Sequence, residues 1–310
     1  MAGRAGGPGR GLLDKRTVLH QSFRLHVIPS VIKVRVFLFS VKKNDIYCSA
    51  IRKIYPDGTS SLLVADRACF RVPGWEARDN EKAARDDLEA VGPNRATENQ
   101  ERARRRARAA VAEIVRANPD MEYFVTLTLD KAKVDRYDYS EQQKVMRAWL
   151  SNRVQRCGLK YVVVPEFHGD GAIHYHGVFN DVLALKDSGT LSIAGGAPRR
   201  PRGAAERRKM LEDGSQVVYN LPDWKLGFST VIQFYGERGR AVSYVCKYIG
   251  KDSEKIGGRY YLSGGPLQRA DREYINVDFD DFSEYCQSFE IARLGAKCIK
   301  MDFDESGVLK

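Results

Sequence analysis

Two runs of β-forming residues joined by a short glycine-rich link constrain this chain more than any other stretch. Lys160-Tyr161-Val162-Val163-Val164-Pro165-Glu166-Phe167 leads through His168-Gly169-Asp170-Gly171 into Ala172-Ile173-His174-Tyr175-His176-Gly177-Val178-Phe179. Gly/Asp links of this kind favour a tight hairpin. A three-residue loop over 169–171 pairs residue 168 with 172 and sets Glu166 directly opposite His174. Successive strand side chains point to opposite faces, so His174 and His176 project from the same one. Directly opposite residues share a face, with Cβ atoms about 4.5–5.5 Å apart. Glu166, His174 and His176 therefore gather on one side of the hairpin. Two conditions attach to this: a one-residue slip would send Glu166 to the other face, and Pro165 can donate no ladder hydrogen bond.

Two imidazoles and a carboxylate suit a divalent metal while leaving coordination positions open. Neutral imidazoles hydrogen-bonded on a polar sheet face are the competing reading. The chain has 5 histidines, and the remaining ones (His20, His26, His168) form no such pair.

Charge narrows the choice of partner. Lys and Arg number 51 against 40 Asp and Glu, a net +11, and the pI near 9.3 favours a polyanion. No run of 18 apolar residues exists, which argues against a membrane-spanning helix. The Met1–Gly11 stretch lacks the apolar segment that secretion needs, so a soluble cytosolic protein is expected. Cys48, Cys69, Cys157, Cys246, Cys286 and Cys298 contain no C-x-x-C pair, against a zinc ribbon or a disulfide framework. Gly250-Lys251-Asp252 lacks the upstream glycine and the hydroxyl of a phosphate-binding loop, so no ATPase is expected.

In chain order, residues 1–95 read as a basic, β-rich N-terminal region and a linker. Thr97-Glu98-Asn99-Gln100 fits a capping box opening an Arg-rich helix over 96–118. Ala107, Val111, Ile114 and Val115 form its apolar stripe. Arg102, Arg104, Arg105, Arg106 and Arg108 crowd its first turns against the helix dipole. Such a helix is either a solvated charge run or one laid along a nucleic-acid backbone, with Arg102 and Arg105 as contacts. Tyr123-Phe124-Val125-Thr126-Leu127-Thr128-Leu129 is apolar at nearly every position and reads as a central strand. A helix follows from about Ser140 with Met146, Trp149, Leu150, Val154 and Cys157 on one face.

After the hairpin, residues 184–227 read as a basic insertion. Gly195 to Arg202 resists regular structure, and Arg199, Arg200 and Arg202 are candidate phosphate contacts. Phe228 to Tyr235 resumes as a strand, and a helix runs from about Arg240 to Lys251. Its polar face carries Tyr244, Lys247, Tyr248 and Lys251, either as surface residues with snorkelling tips or as a functional row. Gly257 to Leu262 is a candidate closing strand, and 256–310 reads as an acidic tail. The expected class is α+β: a mainly antiparallel sheet of about five strands with helices on one side, the core spanning 119–255.

Phe124-Val125-Thr126-Leu127-Thr128, then His174-Tyr175-His176, then Tyr244-Val245-Cys246-Lys247-Tyr248 resemble, in order, the three motifs of rolling-circle replication initiators, the HUH endonucleases. The closest likeness is to plasmid and integrative-element initiators, near those of single-stranded phages. The resemblance implies that Glu166, His174 and His176 hold Mg²⁺ or Mn²⁺ while Tyr244 attacks one strand of single-stranded or unwound origin DNA. A 5′-phosphotyrosine and a free 3′-OH would result, with Lys247 stabilising phenolate or phosphate. Phenols ionise near pH 10, so that assistance matters. Tyr248 matches the second tyrosine of two-tyrosine initiators; the alternative is a packing tyrosine. Host helicase and polymerase are implied as partners. Competing functions are a transposase or relaxase of the same chemistry and a non-catalytic nucleic-acid-binding protein.

Overall fold

The computed structural model describes residues 23–24, 35–36, 38–40, 47–73, 94–135, 137–167, 172–192, 198–234, 238–249, 255, 258–277, 289–291 and 296–307. The chain divides into two compact units, one comprising Met1–Ile54, Gly58–Glu76 and Arg272–Lys310, the other Tyr55–Asp57 and Ala77–Asp271.

The first unit contains a six-stranded sheet. Ala50–Ile54 pairs antiparallel with Ser60–Ala65, the return that the Pro56-Asp57-Gly58-Thr59 turn signal implies. Ser60–Ala65 pairs on its other side with Ala296–Phe303. C-terminal residues expected in an acidic tail thus complete the N-terminal sheet. Pairing over such a separation leaves no local trace in the sequence.

The second unit is built on a seven-stranded antiparallel sheet. Its elements are helix α1 (Asn94–Ala117), β1 (Met121–Leu129), α2 (Tyr139–Cys157), β2 (Tyr161–Phe167) and β3 (Ile173–Asn180). They continue with β4 (Lys186–Ser192), α3 (Ala204–Glu212), β5 (Gln216–Asn220), β6 (Gly227–Gln233), α4 (Arg238–Lys247) and β7 (Leu262–Gly264). The strand order is β4-β5-β6-β1-β3-β2-β7, so the apolar run of β1 lies inside the sheet as expected. The α+β class holds, with seven strands where about five were expected.

Residues 184–227 account for two of those strands. β4 and β5 pair with each other, and β5 joins β6. The segment therefore extends the sheet instead of leaving it. Its Gly/Pro/Arg stretch had obscured the β-formers on either side, and even Arg199 bridges to Leu191.

Helices cover both faces, which corrects the one-sided expectation. Odd-numbered β1 residues Tyr123, Val125, Leu127 and Leu129 pack in one core with Met146 and Leu150 of α2. Phe124 packs in a second core with Ala107, Val111 and Val115 of α1 and with Val245 and Ile249 beside α4. A strand buried on both faces needs apolar residues at both parities, and β1 has them. Asp138 caps α2, accepting from the backbone N–H groups of Ser140 and Glu141, and Gly158 closes it at φ 70°.

Two helix boundaries differ from expectation. α1 begins at Asn94, so Thr97 lies inside the helix and Glu98 serves as an ion-pair partner of Arg102 at 2.9 Å instead of a capping residue. α4 ends at Lys247. The N–H groups of Tyr248 and Ile249 donate to Val245 and Cys246, tightening the chain into a short-pitch turn ahead of Gly250. Tyr248 thus follows the helix instead of extending its face. Among the described residues no helix is long and apolar enough to cross a membrane.

Gly177 in β3 sits where the ladder admits no side chain. A Cβ there would lie 2.5 Å from the Val162 carbonyl oxygen and 3.0 Å from a Val163 methyl. Both are central in the sheet and cannot retreat. Gly177→Ala is expected to destabilise the protein by about 2–4 kcal/mol, read as a lower urea midpoint at unchanged slope.

Candidate active site

The hairpin register is the expected one: His174 is opposite Glu166 and Ile173 opposite Phe167. The turn itself, residues 168–171, lies outside the described residues. On its other side β3 pairs with β1, placing His174 opposite Thr128 and His176 opposite Thr126. Glu166, His174 and Thr128 therefore form one cross-strand row, and Val164, His176 and Thr126 the next. Tyr175, between the histidines, points to the opposite face and is buried in the α2 core.

Each imidazole is oriented by a threonine. Thr126 Oγ1 lies 3.1 Å from His176 Nδ1, and Thr128 Oγ1 lies 3.3 Å from His174 Nδ1. These are the polar positions of an otherwise apolar strand, and their period of two was the available signal for their role. His176 is 7% exposed, and its Nε2 lies 2.8 Å from Glu166 Oε2. With Glu166 ionised, Nε2–H donates to the carboxylate and Nδ1 accepts from the Thr126 hydroxyl.

The second tyrosine packs directly on this pair. The Tyr248 ring stacks on His176 with centroids 3.8 Å apart and planes 5° from parallel. Tyr244 meets Tyr248 edge-on at 5.5 Å and Phe124 edge-on at 4.7 Å. Burial pushes the Tyr248 phenol well above its ordinary range, aided by a hydrogen bond with Tyr244 and by the Glu166 charge. Tyr244, 46% exposed, is the phenol that solvent and a substrate can reach. Phe124, which sequence reading had placed only in a buried strand, anchors this aromatic group.

Among the described residues no three His, Cys, Asp or Glu side chains converge as a metal-holding group; Glu166 closes directly onto His176. The donor types nevertheless fit a divalent cation. Rotated onto a cation, His176 would need only to move its proton to Nδ1, where the Thr126 oxygen can accept it. Such hydroxyl partners tune ligand orientation and basicity. Thr126→Val is expected to weaken Mn²⁺ binding about 10–100-fold by calorimetry while leaving the fold intact.

The other expected residues divide. Lys247 is exposed at the end of α4, and Lys251 lies outside the described residues. Arg105 and Arg106 are exposed on α1, while Arg104 and Arg108 pair with Glu101 at 3.8 and 3.4 Å. With the Glu98 contact to Arg102, these carboxylates supply the compensation that an arginine-rich helix start requires. Arg199 pairs with Glu206 at 2.8 Å, Arg200 donates to the Ser188 carbonyl, and the Arg202 backbone N–H donates to Glu206. The backbone donation from Arg202, then the Arg199 guanidinium, holds the Glu206 carboxyl below its usual range.

No curated protein and no solved structure was found to match. Residues 122–253 match a family model of replication-associated proteins, the ORF2 family. That span runs from β1 through the hairpin and β6 to just past α4, so the match rests on the segment that builds the site and supports a replication-initiator family for this chain.

Proposed function

We propose that the protein is a rolling-circle replication initiator of the HUH type, a site-specific single-strand DNA endonuclease and strand transferase. The observation that carries this reading is the packing of the α4 end on the sheet: Tyr244 meets Tyr248, which stacks on His176, which bonds to Glu166. A phenol open to solvent thereby stands beside two imidazoles and a carboxylate.

In the forward step the Tyr244 oxygen attacks a phosphodiester phosphorus and the bond to O3′ breaks. The phenol gives up its proton and the departing 3′ oxygen takes one, leaving a 5′-phosphotyrosine and a free 3′-OH. In reverse, a 3′-OH attacks the phosphotyrosine and restores the diester, without ATP, because the covalent link conserves the bond energy. Mg²⁺ or Mn²⁺ held by Glu166, His174 and His176 would polarise the scissile diester. Lys247, exposed beside these tyrosines in sequence, adds positive charge for phenolate or phosphate. Unwinding and synthesis would fall to a host helicase and polymerase.

The test is a labelled origin oligonucleotide incubated with the protein and Mn²⁺. A denaturant-stable protein–DNA adduct is expected, and binding without adduct would sink the reading in favour of a non-catalytic module. Tyr248 is assigned a positioning role, since its ring faces His176 and its hydroxyl is tied to Tyr244. Tyr248→Phe keeps the stack and is expected to form adduct within about tenfold of wild type, whereas Tyr248→Ala loses both contacts and falls further. A Tyr248→Phe protein that nicks normally but cannot complete the second strand transfer would instead make Tyr248 a second nucleophile.

A further inference from the structure

β6 continues the row that holds the candidate ligands. Phe228 is directly opposite Thr128, which is opposite His174, which is opposite Glu166. Opposite residues share a face, so Phe228 projects from the same side of the sheet as the imidazoles. Two strand spacings separate it from His174, about 10 Å. Phe228 is 72% exposed, the most exposed of the large hydrophobic side chains described. Its neighbour on that face, Thr230, is opposite Thr126 and also exposed.

A lone exposed apolar side chain needs no explanation in itself. Three observations separate this one. It lies in register with the candidate catalytic row. The backbone beneath it is held, because Trp224 Nε1–H donates to the Thr128 carbonyl at 3.2 Å and Lys133 Nζ donates to the Lys225 carbonyl at 2.8 Å. The adjoining end of the sheet is basic and aromatic, with exposed Lys131, Lys133, Lys225 and Tyr137.

We infer that Phe228 is a stacking platform for an unpaired base of the DNA strand, one or two nucleotides from the phosphate at Tyr244. The inference rests on the nuclease reading for the position of that phosphate. A π-face flanked by hydroxyls and lysines matches the chemistry of a single strand, whose bases stack on aromatic rings while its phosphates meet cations. A duplex offers no free base face, so Phe228 selects unwound DNA. The requirement for a single strand is then built into the sheet beside the reacting groups.

Two variants test this with a fluorescein-labelled twelve-nucleotide thymidine strand, since stacking is tolerant of sequence. Phe228→Ala is expected to weaken binding about tenfold or more by anisotropy, with binding of a labelled duplex of equal length changed less than twofold. Phe228→Trp is expected to retain wild-type affinity and to gain a strand-dependent quenching of tryptophan emission beyond that of wild type. Unchanged affinity in Phe228→Ala, equal losses on strand and duplex, or no added quenching in Phe228→Trp would each overturn the inference. The assay reads binding alone. Adduct formation by wild type with unaltered Phe228→Ala binding sinks the platform and spares the nuclease. Quenching without adduct does the opposite.

Discussion

Tyr244→Phe protein is expected to bind origin DNA as wild type does and to form no covalent adduct, with strand cleavage down by about 10⁴-fold or more. The substitution deletes one oxygen from a half-exposed ring. Phe124 and Tyr248 meet that ring edge-on, contacts that a phenyl group reproduces. The fold and the aromatic group should therefore persist, and a change in melting temperature beyond a few degrees would show that the variant reports on packing. What disappears is the only atom in the proposal that bonds to phosphorus. Residual adduct at an unaltered rate would move the nucleophile elsewhere, with Tyr248 the first position to map by peptide sequencing of the adduct.

His176→Ala should be nearly as damaging, for a different reason. His176 joins three partners at once: Thr126 at Nδ1, Glu166 at Nε2 and the Tyr248 ring on its face. Removing it strips a ligand from the proposed cation site and a floor from the second tyrosine. Adduct formation is expected to fall about 10²–10³-fold, and the loss should extend to cation binding itself. Mn²⁺ at about a hundred times its dissociation constant stabilises a protein that binds it only when folded by about 2.7 kcal/mol. Wild type should show the corresponding rise in melting temperature and His176→Ala should not. An identical Mn²⁺-dependent rise in both proteins would remove His176 from the ligand set, whatever its effect on cleavage.

Local chemistry made the hairpin and its register legible in the sequence. A Gly/Asp link of fixed length sets which residues face each other, and strand alternation then puts Glu166 beside both histidines. The central place of β1 was legible too, because only a strand covered on both sides can be apolar at both parities. Long-range pairing was not. Nothing near Thr126, Thr128 or Phe228 says that β1 and β6 lie beside the histidine strand, so the threonines behind each imidazole were missed although their spacing matches that of the histidines. β4 and β5 were lost behind the Gly195–Arg202 composition. The ends of α1 and α4 followed side-chain pairing and a tight terminal turn, which helical periodicity does not encode.

The histidine strand is paired on both sides, to β2 and to β1, and each partner independently fixes where its side chains fall. The turn between β2 and β3 is thereby relieved of any duty in alignment once the sheet has formed. Closing a longer loop costs only a few tenths of a kcal/mol for modest extensions. Residues can be added or exchanged between Phe167 and Ala172 without moving the donor atoms, which leaves that rim free to be reshaped for different target strands while the chemistry beneath it stays constant.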